Sequence, residues 1–266
     1  MPSAQRSPPA VADGPAAPVQ PASSPTSLEN HLGGADGTRY RTYQFDLVAP
    51  YVGRSLLEVG SGLGQFSARF SGRLRHLIVS DNDPYCISQL TERYRGRDDV
   101  EVLELALPGK VKARVQVDTA VMMNVLEHIP DDAQALRDLA ACIEPGGRIV
   151  IWVPGYMQLY GEFDRIVGHV RRYTPKTLRR VVESAGLMVE VCKPVNFIGG
   201  IAWWLAIRRF GVRRVNPVLT SLYDMTVIPV TRTLERIIRP PFGQTVFCVA
   251  RLPPRPGPAR ESRPPR

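Results

Sequence analysis

Lysine is scarce in this chain. Of its 34 basic residues only Lys110, Lys112, Lys176 and Lys193 are lysine, and the rest are arginine. With abundant alanine and proline, that bias points to a GC-rich bacterial genome and says nothing about mechanism. Cysteine is scarce as well. Cys86, Cys142, Cys192 and Cys248 stand far apart and form no C-x-x-C pair. That spacing argues against a disulfide framework or a thiolate metal site, and no metal is expected. Four buried free thiols fit a reducing cytoplasm. Long apolar runs are missing. The stretch Phe197 to Ile207 is about half of what a bilayer span needs. Residues 1–27 are mostly Pro, Ala and Ser, with no apolar core of a secretory signal. They bury too little to offset ordering entropy and are expected to be disordered. The same holds for a Pro- and Arg-rich tail at 253–266.

What is present is organised around Leu56-Leu57-Glu58-Val59-Gly60-Ser61-Gly62-Leu63-Gly64. A short apolar strand runs into glycines at alternate positions, and Phe66 to Phe70 reads as the start of a helix. Glycine lets the backbone turn sharply and lets a ligand approach it. Strand, glycine turn and helix start together make a nucleotide-cofactor site at the carboxyl edge of a parallel sheet. A dinucleotide fingerprint needs G-x-G-x-x-G. Here Gln65 stands where its last glycine would be. Glu58 precedes the first glycine by two. A carboxylate there suits a cofactor with a positive end, such as S-adenosylmethionine (SAM), rather than a pyrophosphate. The alternative is a tight strand–helix turn with no ligand.

Between the tails the elements alternate. A helix is expected over Arg39 to Val52, and strands over 55–59, 76–80, 100–103, 117–123, 148–153, 187–192 and 245–251. A helix should begin at Thr174-Pro175 and stop at Gly186. Such alternation implies an α/β, Rossmann-like, mostly parallel sheet with helices on both faces. Residues 28–252 read as one domain.

Asp81 ends the second strand, about 20 residues beyond the glycine turn, where a carboxylate accepts both ribose hydroxyls. Its other reading is a helix N-cap, and Asp83 is the rival for either role. Asn82 lies beside it. Leu105 and Ala106, after the third strand, should border the adenine. After the fourth strand come Asn124, which would face the cofactor, and His128. His128 is the candidate acid or base, or else a histidine fixing its loop.

The stretches L-L-E-V-G-S-G-L-G at 56–64, S-D-N-D-P at 80–84, N-V-L-E-H-I-P-D at 124–131 and E-P-G-G-R at 144–148 resemble the successive motifs of class I SAM-dependent methyltransferases. The likeness is to the small-molecule, type 11/12 kind with a Leu-Glu-His loop. The resemblance covers about 38–192 plus the last strand. It implies a seven-stranded sheet whose last strand is antiparallel, and a glycine turn that with Glu58 holds the methionine end of SAM. The sequence departs from many relatives at Leu105-Ala106, which carry an aspartate there. The block Gly168-His169-Val170-Arg171-Arg172-Tyr173 resembles a G-H-x-R-R-Y block of a bacterial subgroup. It would lie over the acceptor. His169, Arg172 and Tyr173 are therefore candidate acceptor contacts, joined by Tyr40 on the first helix and Trp203. A solvated basic loop is the other reading.

Before the last strand sits a long segment, 193–242, far beyond what a hairpin needs. It holds eight basic and two acidic residues out of a whole-chain charge of +9. With residues 251–266 at +4, the remainder is −1, which argues against a nucleic-acid groove across the sheet. Asp224 and Pro229 interrupt its second apolar run. A lid over a hydrophobic acceptor, a segment in a membrane interface, extra core packing and a dimer contact all remain open.

These observations predict a cytoplasmic enzyme, with a peripheral membrane location as the alternative, that uses SAM to methylate O, N or C of a small hydrophobic acceptor. The alternatives are a lipid-linked or membrane-associated acceptor, and a non-catalytic SAM-binding protein that docks through the insertion. A dehydrogenase is disfavoured by the missing glycine. Oligomeric state is left open.

Overall fold

The computed structural model of the protein describes residues 38–109, 116–210 and 217–254, with backbone alone at 38, 207–210 and 217. The tail at 1–27, all but the first residues of the tail at 253–266, and Arg213 and Arg214 lie outside the described residues.

Seven strands make one sheet: β1 (Ser55–Val59), β2 (His76–Asp81), β3 (Val100–Glu104), β4 (Val117–Met123), β5 (Ile143–Pro154), β6 (Met188–Val195) and β7 (Thr245–Arg251). Their order is β3-β2-β1-β4-β5-β7-β6. The ladders from β3 through β5 are parallel, and β7 runs antiparallel to both β5 and β6. The order reverses between β1 and β4, and ligands bind outside the carboxyl ends of strands at such a reversal.

Alternate residues of each strand feed opposite faces. Leu57, Val59, Ile78, Met122, Ile149 and Ile151 pack with α3 (Asp132–Ala140) and α5 (Pro175–Ser184). Leu56, Leu77, Val79, Val121, Val150 and Trp152 pack on the other face with α1 (Thr38–Val48), α2 (Pro84–Arg93) and Ile228. Central strands buried on both faces read as continuous apolar runs for this reason.

Three elements differ from the sequence-based expectation. Helix α1 stops at Val48 and tightens into a 3-10 turn at Ala49–Tyr51, because Pro50 offers no N–H to an α-helical ladder. After the glycine turn only a 3-10 turn forms, Ser67–Phe70. It lies between Gly64 and Gly72, both left-handed (φ +73° and +74°), which leaves no room for a long helix. Strand β5 begins at Ile143, but Glu144 to Gly147 loop out of the ladder: Val117 pairs Ile143 and Thr119 pairs Arg148.

The segment at 193–242 forms α6 (Phe197–Phe210) and α7 (Pro217–Ile237); α7 packs on α1, and α6 packs on the turn Met157–Leu159 that precedes a short helix α4 (Glu162–Ile166). Helix α7 runs unbroken through Pro229. Proline deprives the carbonyl four residues earlier of its partner. That carbonyl, Met225 O, accepts instead from Arg39 Nη1 at 3.2 Å. Asp224 does not interrupt the helix either. Its carboxylate accepts from the backbone N–H groups of Arg39 and Tyr40 at 3.2 and 2.7 Å, satisfying donors that a helix start leaves free. Among the described residues, no helix is long and apolar enough to cross a membrane.

Candidate active site

Gly60, Gly62 and Gly64 all take left-handed backbone, with φ of +68°, +54° and +73°. A Cβ on Gly60 would meet Cγ2 of Val125 at 2.5 Å, so the turn after β1 and the loop after β4 are in contact. A Cβ on Gly62 would meet nothing within 4 Å; this side of the turn is open. Gly62 N–H donates to Asp81 Oδ2 at 2.8 Å, and Asp83 N–H to Asp81 Oδ1 at 3.0 Å. Each oxygen keeps a further lone pair. Asp83 has the capping role: its Oδ1 accepts from Tyr85 N–H at 2.8 Å at the start of α2.

Glu58 is buried on β1. Its Oε2 has no hydrogen-bond partner. Burial pushes its carboxyl up to about 7. A buried carboxylate with an orphaned oxygen costs free energy unless something pairs with it. Asn82 and Ala106 are exposed, while Leu105 is buried and donates its N–H to Asp81 O at 2.9 Å. The ends of β1, β2, β3 and β4 thus bring Gly60, Asp81, Leu105 and Asn124 to one edge. An open glycine turn, an orphaned carboxylate oxygen and two free acceptor positions on Asp81 fit a cofactor with cationic and hydroxyl groups.

Asn124 leaves β4 in a left-handed conformation, φ +55°, its N–H bonded to Trp152 O at 2.8 Å. Its side chain is exposed. Beyond it a 3-10 turn carries Glu127 and His128. The His128 ring meets the His169 ring edge-on, centroids 4.7 Å apart. Crowding around the ring, and then His169, lower its pKa below the ordinary histidine range, so at neutral pH it is an unprotonated acceptor.

Glu127 is fully buried, and neither carboxylate oxygen has a hydrogen-bond partner. Burial pushes it up to about 8. His169 Nε2 lies 3.7 Å from Glu127 Oε1. The donor atoms of Glu127, His128 and His169 all fall within 4.8 Å of one another, close enough to share a proton or an ion. Composition and cysteine spacing gave no sign of this cluster, because its members come from loops after different strands.

The block after β5 is tied inward. Asp164 accepts from His169 Nδ1 at 2.7 Å and from Arg172 Nε and Nη2 at 2.8 and 3.0 Å. Burial raises its pKa, but the bonds from His169 and Arg172 outweigh that and hold the carboxyl low. Tyr173 OH donates to Asp132 Oδ2 at 2.8 Å. Arg172 and Tyr173 are buried. The polar groups of Arg172 and Tyr173 are thus engaged by protein, and these two residues clamp the block to Asp164 and Asp132. Val170 N–H to Glu127 O, 3.0 Å, closes it.

Tyr40 packs on Trp152, edge to face at 6.4 Å, and burial raises its phenol pKa. Trp203 also turns inward. Its Nε1 donates to Leu159 O at 3.2 Å, and its ring meets Phe163 at 5.4 Å and the Arg172 guanidinium at 5.8 Å. Its neighbour Trp204 instead lines an apolar groove of about 430 Å³ with Tyr156, Gln158, Leu159, Ile201 and Phe242. Sequence reasoning did not single out Tyr156 or Phe242. The signal was available in the antiparallel last strand, which pairs Thr245 with Pro154 and so brings the residues before β7 beside those after β5.

A family model describing a methyltransferase domain matches residues 38–190, more than half of the chain. A ubiquinone biosynthesis O-methyltransferase of Aeromonas salmonicida is 27% identical over 163 residues, 54% of this chain and 67% of that protein. A probable S-adenosylmethionine-dependent methyltransferase of Mycolicibacterium smegmatis is 29% identical over 156 residues, 57% of this chain and 58% of its own length. The matches therefore leave a third or more of each relative uncovered. Among solved structures, an S-adenosylmethionine-dependent methyltransferase from Clostridium acetobutylicum superposes with a TM-score of 0.56 at 8% identity, over 86% of this chain and 97% of that one. The cyclase SpnF superposes with a TM-score of 0.56 at 18% identity, over 86% and 93%. These two likenesses concern the fold.

Proposed function

The chain belongs to the methyltransferase domain family of class I SAM-dependent enzymes, with SAM as its cofactor, and from that premise we propose that it methylates O, N or C of a small hydrophobic molecule seated in the groove beside Trp204. The observation that carries this reading is the groove itself. Its lining is nearly all apolar, and it opens next to the residues that follow β5, on the side of the sheet where the strand ends converge.

SAM, when bound, supplies an electrophilic methyl group on a sulfonium. The residues suited to hold it are Glu58 and the turn at Gly60, Gly62 and Gly64 for the methionine end, Asp81 with Asn82 for the ribose, Leu105 and Ala106 for the adenine, and Asn124 at the rim. Asp81 has one free acceptor position on each oxygen, matching a vicinal diol. His128 is the proposed base. It is neutral at physiological pH and exposed enough to meet an acceptor hydroxyl or amine. The Asp164–His169–Arg172 clamp positions its neighbour in the ring pair. Orientation of acceptor and methyl donor supplies much of the rate in such a reaction.

A lipid-linked or membrane-associated acceptor is the second reading, favoured by the exposed apolar side chains of α6 and α7. Methyl-transfer assays with labelled SAM against a metabolite extract and a lipid extract, read by mass spectrometry, test both. Label appearing in a polar product alone would overturn them.

A further inference from the structure

Helix α7 has two opposite arcs. The inner one carries Asp224, Ile228, Thr231 and Glu235. The first three are buried. Glu235 accepts from Tyr43 OH at 2.5 Å and from Phe197 N–H at 2.8 Å. The outer arc carries Leu222, Met225 and Val230, which are 57%, 62% and 57% exposed. Thr226 and Thr233 share that outer arc, but their hydroxyls fold back on the helix's own carbonyls, Leu222 O at 2.7 Å and Pro229 O at 2.9 Å. On α6, Leu205 is 51% exposed beside Ile201 and Trp204.

The charge follows the same division. The only acids between 193 and 242 are Asp224 and Glu235, and both are spent on the inner arc. The segment has eight basic residues against those two acids, and of these Arg236 is exposed on the outer arc and Arg239 is exposed just beyond the end of α7. Among the described residues of this segment, the outward side therefore combines apolar carbon with cations and no carboxylate of its own. Patches of this kind on a soluble domain mark an interaction site. We propose that the outer faces of α6 and α7 lay the protein on an anionic lipid bilayer, with apolar side chains in the interface and arginines among the headgroups.

The charge argues against a second copy, since an isologous contact would set two cationic faces against each other. Leu222, Met225 and Val230 lie outside the groove lining, so they do not form a lid. This inference holds whatever the acceptor is.

The test is co-sedimentation with vesicles of phosphatidylcholine, with and without phosphatidylglycerol. The protein should pellet with the anionic vesicles and stay in solution with the neutral ones, and added salt should release it. Leu222→Glu with Met225→Glu should lower the bound fraction about tenfold or more. Both side chains are exposed, so melting temperature and SAM affinity should hold, which separates this outcome from failure of the cofactor site. Leu205→Gln on α6 gives an independent and smaller loss should the double variant fold poorly. Wild-type protein that ignores anionic vesicles overturns the proposal. So does a double variant that pellets normally, or a wild-type dimer that the variant splits without any vesicle binding.

Discussion

The backbone N–H of Gly62 donates to Oδ2 of Asp81 at 2.8 Å, so the glycine turn after β1 and the carboxylate ending β2 form one unit. Asp81→Ala removes that brace and the two acceptor positions offered to a ribose. A hydrogen bond to a charged group contributes about 1.5–3 kcal/mol, so SAM should bind roughly ten- to a hundred-fold more weakly by calorimetry. Asp83→Ala should instead lose the cap on α2, about 1 kcal/mol of stability, with affinity little changed. Equal affinity losses at both positions would mean the ribose is held differently.

His128 lies against His169, ring centroids 4.7 Å apart, with its pKa lowered below the ordinary histidine range. His128→Ala should reduce kcat by about 10²–10⁴-fold while SAM affinity stays intact. Unchanged turnover at saturating acceptor removes His128 from the chemistry and leaves it as a loop residue.

The tryptophan pair divides by direction. Trp204→Ala should raise KM for an apolar acceptor about tenfold, matching the 1.5–3 kcal/mol of a buried large side chain, and leave the melting temperature nearly constant. Trp203→Ala should lower the melting temperature by several degrees, because its indole bonds Leu159 O and covers Phe163. A KM effect confined to Trp203 would reverse this division.

Burial pushes Glu127 up to about 8 and Glu58 up to about 7, from an ordinary value of 4.5. The folded chain therefore keeps protons that the unfolded chain releases above about pH 4.5. Their contribution to stability is complete below that pH and is lost as pH rises through 7 to 8. Thermal melts should show falling stability across that window. Glu127→Gln should flatten its upper part, whatever it does to the absolute melting temperature. An unchanged slope would mean that Glu127 is ionised in the folded protein.

The same protonated Glu127 bears on the cluster it forms with His128 and His169, whose donors lie within 4.8 Å of one another. A proton on Glu127 competes with any cation, and Arg172 already neutralises the adjacent Asp164. Dialysis against a chelator should leave turnover unchanged. Activity lost there and restored by one divalent ion would make the cluster a metal site.

Local chemistry made much of the fold legible in the sequence. Apolar runs bounded by glycine and proline marked β1, β5 and β7, because a strand buried on both faces needs unbroken apolar residues. The spacing of Gly60, Gly62 and Gly64 marked a sharp turn after a strand, and Asp81 stood at a strand end. These depend on near neighbours in the chain. What lay beyond the sequence depends on partners far along it. Pro229 interrupts an apolar run in the sequence, yet α7 continues through it, with distant Arg39 supplying a donor to Met225 O. Arg172 and Tyr173 read as surface residues reaching for an acceptor, yet Asp164 and Asp132 draw them inside. Trp203 and Trp204 are adjacent, and only the packing of α6 on the loop near Leu159 turned one inward and set the other in the groove. Residue type declares which hydrogen bonds and apolar contacts a side chain needs; the folded chain decides which distant group supplies them.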